Sequence, residues 1–375
     1  MTNSTLLPPT YEASRDRFRR QIDRVRLFWP HAQPDHHPVG GDEDLTIDWI
    51  ETPTGSRDRL LILTTGEHGI EGYVGSAVLQ LFIDEFLPHL DPQTTGLLLI
   101  HAINPWGMKH RRRTNAANVD LNRNFLIASP TPYDTVANPD YGRLHAFLNP
   151  QGAVRRSPWR DLGFLLQLAR HLVLTGPSRI RRATLLGQYR FPQSIYYGGP
   201  ALQEETQVLI NLYQQRIEAY PRVLLMDMHT GYGPRYQMSL VNSPLEPTPS
   251  EELARRFAYP LVVKADPSEF YSMQGDMLDF VYTLIQKEYP DRHLYATSFE
   301  FGTLGDSLPA TLRSLRTMIA ENQLYWHGAQ TQRVREDVAR DFEDLFVPSE
   351  ERWRVKALAD ARQAITGILR AERFI

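Results

Sequence analysis

Apolar residues come in short unbroken runs along this chain, and most runs end in a turn. The stretch "RLLILTTG" (Arg59–Gly66) sets four aliphatic residues before two threonines and a glycine. The stretches "GLLLIHAINP" (Gly96–Pro105), "RVLLMDMHTGYG" (Arg222–Gly233) and "YATSFEFGT" (Tyr295–Thr303) repeat the theme, whereas "LTIDWIET" (Leu45–Thr52) alternates apolar and polar positions. Such runs, bounded by glycine or proline, predict strands. Tyr11–Phe28, Tyr73–Leu90 and Ala201–Tyr220 instead show helical spacing, the second stopping near Pro88. "PHAQPDHHPVGGDED" (Pro30–Asp44) reads as a polar loop. The order strand, helix, strand with short loops predicts an α/β fold, a sheet sandwiched by helices.

Two segments depart from this rhythm. Residues 126–200 carry helical patches such as "WRDLGFLLQLARHLVL" (Trp159–Leu174) between Gly/Pro-rich ends, which suggests an insertion or cap. Residues 304–375 are mainly helical in pattern. No internal repeat or low-complexity linker divides the chain, so a single domain over 1–375 is expected. Of its 375 residues 42% are hydrophobic and 23% charged, enough for a sizeable core. The formal net charge of -3 argues against nucleic acid as a partner. The absence of cysteine excludes disulfides, thiolate metal ligands and a cysteine nucleophile. The first residues lack the pattern of a signal peptide, and no apolar run reaches the roughly 18 residues of a membrane helix. The cytoplasm is the expected compartment, with no membrane partner.

Candidate chemistry collects where the apolar runs stop. His68-x-x-Glu71 follows "RLLILTTG" and offers an imidazole and a carboxylate, both good zinc ligands. The spacing alone is weak, since the same pair serves equally as an ordinary first helical turn. His229 recurs at the same place, after an apolar strand and before a glycine turn. A lone histidine there also serves as a hydrogen-bonded structural residue. Glu300 interrupts an apolar strand between Phe299 and Phe301, and a buried carboxylate is costly unless paired or functional. Its bland alternative is a glutamate on a half-exposed face. In "RRRTNAANVDLNRNF" (Arg111–Phe125), arginines beside asparagines suit two-pronged capture of a carboxylate, and Asp120 could orient a metal-bound histidine. The plainer reading of the arginine run is a solvated patch. Glu67 is expected to lie outside the site, as a carboxylate at a helix start.

Taken in order, these stretches resemble the zinc carboxypeptidase superfamily, including its succinylglutamate desuccinylase and aspartoacylase branch. "HGIE" resembles the ligand pair, "NVDLNRNF" the D-x-N-R segment, "MHTGYG" the second histidine ligand and "SFEFGT" the strand of the catalytic glutamate. "YSMQGDMLDFVY" (Tyr271–Tyr282) resembles the stretch in which a mobile tyrosine precedes a G-x-x-x-D-aromatic-x-tyrosine signature. The resemblance implies a three-layer α/β/α fold with a mixed, mostly parallel central sheet. It implies one zinc ion on His68, Glu71 and His229, and Glu300 as general base and acid. Asn122 and Arg123 would hold a substrate carboxylate, and Tyr271 would close on the substrate. Arg113, with Arg111 and Arg112 as alternatives, would polarise the scissile carbonyl. Leu278 would sit at the base of the side-chain pocket and favour apolar or aromatic residues.

The activity so implied is hydrolysis of an amide near a free carboxylate, in a peptide or acyl amino acid, foremost as a metallocarboxypeptidase. The competing expectations are an N-acyl amino acid deacylase and a catalytically silent zinc-binding protein of the same fold.

Overall fold

Eight strands form one sheet in the computed structural model of the chain, which describes residues 6–41, 44–52, 56–126, 138–176, 179–180, 183, 186–264 and 275–375. They are β1 (Gln33–Pro38), β2 (Thr46–Glu51), β3 (Arg59–Thr65), β4 (Thr95–His101), β5 (Arg222–Thr230), β6 (Met238–Asn242), β7 (Val262–Lys264) and β8 (His293–Phe301). Their spatial order is β1-β2-β4-β3-β5-β8-β6-β7. The central set β4, β3, β5 and β8 runs parallel, and β7 is parallel to β6. β2 joins β4, β1 joins β2 and β6 joins β8 in antiparallel fashion. The sheet is therefore mixed and mostly parallel, as expected.

The unbroken apolar runs are the central strands because both of their faces are covered. Leu61, Leu63, Leu99, Leu224 and Met226 pack with helices Tyr11–Arg26, Gly72–Glu85 and Glu351–Ala371 on one face. Leu60, Ile62, Leu98, Ile100, Val223 and Leu225 pack with helices Glu204–Ile217 and Met277–Glu288 on the other. This is the three-layer α/β/α sandwich. Each such aliphatic side chain, buried fully, contributes about 2 kcal/mol. A third apolar cluster joins helix Pro139–Leu148 to helix Leu308–His327 through Tyr141, Leu144, Phe147, Leu315 and Ile319. Among the described residues, no helix is long and apolar enough to cross a membrane.

Three strands were not expected. β1 runs through the stretch read as a polar loop, and most of its "QPDHHP" side chains are exposed. It is an edge strand, where prolines and charges are tolerated because one side needs no ladder. β6 and β7 are short strands at the other margin, too brief to show periodicity.

His101, the last residue of β4, lies in a buried polar knot. Its ring stacks on Phe18 at 5.3 Å, and its Nε2 lies 2.7 Å from Ser14 Oγ. Ser14 donates to Ser76 Oγ at 2.7 Å, which also accepts from Arg17 at 2.8 Å. Burial and the nearby Arg17, Arg15 and Arg19 push its pKa down to about 3. The knot ties helix Tyr11–Arg26 and helix Gly72–Glu85 to the sheet.

Candidate metal centre

The ends of β3, β5 and β8 bring four of the expected side chains, His68, Glu71, His229 and Glu300, to one place. β3 leads through His68, whose backbone is extended, into the single 3-10 turn Gly69–Glu71, and helix Gly72–Glu85 follows. Gly69 is required there: a Cβ would collide with the backbone of Gly107 and Met108. That close approach lets Gly69 and Ile70 donate their amides to the carbonyls of Arg113 and Arg112 at 3.1 and 2.9 Å. The arginine segment is thereby docked against the H-x-x-E turn. In the parallel pairing of β5 with β8, His229 stands opposite Glu300. Phe299 and Phe301 point into the opposite layer, as alternation along a strand requires.

His68 Nδ1 lies 3.0 Å from Glu71 Oε1, and His229 Nδ1 lies 3.2 Å from both His68 Nδ1 and Glu71 Oε2. Those are the spacings of neighbouring ligands around a tetrahedral zinc, about 3.3 Å for bonds near 2.0–2.1 Å. The far edge of each ring faces a carboxylate. His68 Nε2 is 3.0 Å from Asp120 Oδ1, and His229 Nε2 is 2.5 Å from Asp227 Oδ2. With Nε2–H donated in both rings, both Nδ1 atoms turn lone pairs toward one another and toward Glu71. Three acceptors so placed repel unless a positive charge lies among them. The donor set therefore fits a metal ion of the zinc type, with each histidine oriented from behind by an aspartate.

The wider charge balance agrees. Glu67, Glu71, Asp120 and Asp227 are buried, and Glu300 is half-buried at the same place. Arg113 donates to Asp120 Oδ2 at 3.2 Å and to Glu71 Oε1 at 3.1 Å. Thr230 donates its amide to Glu71 Oε2 at 2.8 Å. Burial alone would raise Glu71, but the histidines outweigh it and hold its pKa far below the ordinary range. Burial likewise acts against charge on His229, yet Asp227 and its neighbours raise its pKa. Glu300 differs: burial pushes it up to about 7, and its Oε2 has no hydrogen-bond partner. A carboxyl so poised can both take and give a proton near neutrality.

Glu67 corrects an expectation. It is fully buried, both of its oxygens lack hydrogen-bond partners, and Oε2 lies 3.4 Å from His229 Nε2. Glu67, His68 and His229 have donor atoms within 4.8 Å of one another, a group able to hold a metal. Glu67 approaches His229 on the Nε2 edge beside Asp227, whereas Glu71 lies on the Nδ1 edges of both rings. Burial, with Asp227 nearby, pushes its pKa up to about 7.

Of the three arginines, Arg113 alone faces this cluster. Arg111 pairs with Glu343 at 2.6 Å and Arg112 with Glu321 at 2.7 Å. Asn122 spends its side-chain oxygen on the backbone amide of Met277 at 2.9 Å, starting the helix there. Arg123 is buried, and its carbonyl accepts from Tyr189 Oη at 2.6 Å. Gly275, at φ +76, presses on Arg123 so closely that a Cβ would collide with its carbonyl, and Gly275 accepts from the Phe125 amide at 3.0 Å. Leu278 is buried in the apolar layer between the sheet and helix Met277–Glu288. Tyr271 and residues 127–137 lie outside the described residues.

Comparison with known proteins finds a family that matches most of the chain. The family described as "Protein of unknown function (DUF2817)" matches residues 9–360. The chain belongs to the DUF2817 family. No curated protein matches it. The solved structures that resemble this DUF2817 chain include bovine thrombin-activatable fibrinolysis inhibitor in complex with tick carboxypeptidase inhibitor, at 13% identity and TM-score 0.45, covering 86% of this chain and 97% of that one. A succinylglutamate desuccinylase from Silicibacter shows 14% identity and TM-score 0.38, over 79% and 67% of the two chains. Murein-tripeptide amidase MpaA from Escherichia coli shows 19% identity and TM-score 0.35, over 78% and 92%. These are remote likenesses, and the chemistry of the DUF2817 site rests on its own side chains.

Asp227 and Thr64 were missed in the sequence, although a signal was present. Asp227 precedes His229 by two positions on one strand, so both side chains share a face. Thr64 is its register partner on β3 and donates to Asp227 Oδ1 at 2.6 Å.

Proposed function

We propose that this chain is a zinc-dependent hydrolase that cleaves an amide bond near a free carboxylate, foremost as a metallocarboxypeptidase. The observation that carries the reading is the convergence of His68 Nδ1, Glu71 and His229 Nδ1 within 3.2 Å, with the unpartnered Glu300 Oε2 on the neighbouring strand. His68, Glu71 and His229 hold one zinc ion. Bound there, zinc supplies Lewis acidity toward the scissile carbonyl and toward water. Asp120 and Asp227 keep the two imidazoles in the tautomer that presents Nδ1. Glu300 takes a proton from the attacking water and delivers it to the leaving nitrogen. Arg113 is fixed by Asp120 and Glu71 beside the reacting carbonyl and stabilises its developing negative charge. Arg123 and Asn122 bind the substrate carboxylate, Tyr271 closes on the substrate, and Leu278 favours an apolar or aromatic terminal residue.

One observation favours a deacylase acting on N-acyl amino acids. The segment around Gly187, Tyr189 and Gly198 packs on Arg123 and Asn124, with Asn124 donating to the Gly198 carbonyl at 2.8 Å. A carboxylate anchor so crowded suits a small substrate. The test is a paired panel of C-terminal dipeptides and N-acyl amino acids, with metal content measured in parallel. Hydrolysis of dipeptides supports the peptidase, and hydrolysis of acyl amino acids alone supports the deacylase. A stoichiometric metal with no turnover of either panel would leave only a zinc-binding protein.

A further inference from the structure

A cavity of about 600 Å³ lies between the 139–175 region and the C-terminal helices. Its walls are Phe147, Val154 and Phe164 on one side, with Ile319, Ala320 and Val338 on the other. Four arginines line it, Arg155, Arg156, Arg313 and Arg316, against a single carboxylate, Asp341, among the described lining residues. This balance is unusual in a chain that carries more acidic than basic residues overall, 44 against 41. The one carboxylate is already engaged, by Arg156. Arg155 and Arg313 are exposed, and among the described residues neither forms an ion pair or a hydrogen bond.

The cavity is built rather than left between loose parts. The Val154 amide donates to the Gly328 carbonyl at 2.9 Å, and the Gln330 amide returns to the Val154 carbonyl at 2.9 Å. Gln323 donates to the Gly152 carbonyl at 2.7 Å. Phe147 and Phe164 stack at 5.1 Å and make an aromatic wall. Fastened walls keep the guanidinium groups around one space, which lowers the ordering cost of a ligand that enters. The volume falls in the range of small-molecule sites, and planar guanidinium groups match carboxylate and phosphate oxygens in two-pronged fashion.

We propose that this cavity binds a small organic anion, its phosphate or carboxylate head between Arg155 and Arg313 and its apolar body against Phe147, Phe164 and Ile319. The site is separate from the candidate metal centre, and the proposal stands or falls independently of the hydrolase reading. Gly163 offers a second handle on it. It lines the cavity, and a Cβ there would meet nothing within 4 Å, so a larger side chain can be added at that wall without a clash.

The full-length chain is titrated by calorimetry with phenyl phosphate, benzoate, inorganic phosphate and benzyl alcohol. The expected result is one-to-one saturable binding of phenyl phosphate, benzoate or both. Inorganic phosphate should bind at least about tenfold more weakly than phenyl phosphate, and benzyl alcohol should not bind measurably. The double variant R155Q/R313Q and the cavity-filling variant Gly163→Leu should each lose about tenfold or more in affinity, with unfolding midpoints near the parent's. Which head group binds more tightly identifies the source of the anion. The proposal is overturned if neither organic anion binds saturably, if either variant keeps full affinity, or if benzyl alcohol binds as tightly as the anions.

Discussion

Two buried histidine sites in this molecule have opposite characters. His101 and His229 both lie at the ends of central strands, yet their pKa values move apart. Around His229 the neighbours are carboxylates, Asp227, Glu71 and Glu67, and they outweigh burial, so its pKa rises. Around His101 the charged neighbours are arginines, which add to burial and bring its pKa down to about 3. One environment is arranged to hold positive charge and the other to exclude it. Depth in the core is shared; the sign of the surrounding charge is not. A buried histidine is thus read by its neighbours rather than by its burial.

The largest expected effect lies at Glu300. Replacing it with glutamine keeps the shape of the site and should lower turnover by about 10³-fold or more, while metal content measured by atomic absorption stays near one. Full activity in that variant would remove Glu300 from the mechanism.

Next come the two carboxylates flanking His229. Glu71→Gln should weaken zinc binding by more than about 100-fold, and Glu67→Gln by less than about tenfold, as read by competition with a chelator. A reversed order would make Glu67 the ligand.

Asp227→Asn should lower zinc affinity by about 10–100-fold, because the imidazole loses the partner that fixes its tautomer. His101→Gln is the matched control. It should leave zinc affinity unchanged and cost about 1–3 kcal/mol of stability in urea, through the broken Ser14–Ser76–Arg17 chain. Equal loss of zinc in both variants would break the distinction between the two sites.

The last test is a pH slope. His101 has a folded pKa near 3, below its ordinary value, so between that pKa and about 6.5 the unfolded chain binds the extra proton. Its contribution to stability is complete above about 6.5 and is lost as the pH falls toward 3. Urea midpoints at a series of pH values should therefore show a shallower acid loss in His101→Gln than in the parent.

Much of this architecture could be read from periodicity. The aliphatic runs of β3, β4 and β5 are uninterrupted because both faces are covered, and that is a property of the strand itself. The strands at the margins, β1, β6 and β7, carry no comparable signal. Their pairing is set by neighbours distant in sequence, and "QPDHHP" has no apolar face at all. In the candidate site, His68, Glu71, His229 and Glu300 stand out in the sequence as residues that interrupt or terminate apolar runs, and the fold brings them together. Glu67 was not, since a carboxylate at a helix start has an ordinary use; only the fold shows that it turns inward against His229. Asn122 was read as a substrate contact from its motif alone, yet its oxygen also holds the amide of Met277. A motif names the residue and leaves open which of its atoms are already occupied.

Gly275 bears no functional group, yet it sets where Arg123 stands. The end of the site proposed to grip a substrate can therefore be disturbed by a single side-chain carbon at position 275, with every proposed acid, base and metal ligand left in place. On the proposed function, drift at position 275 would alter what the protein accepts before it altered what the protein can do. Such a silent position is where relatives with the same catalytic residues could part company in diet.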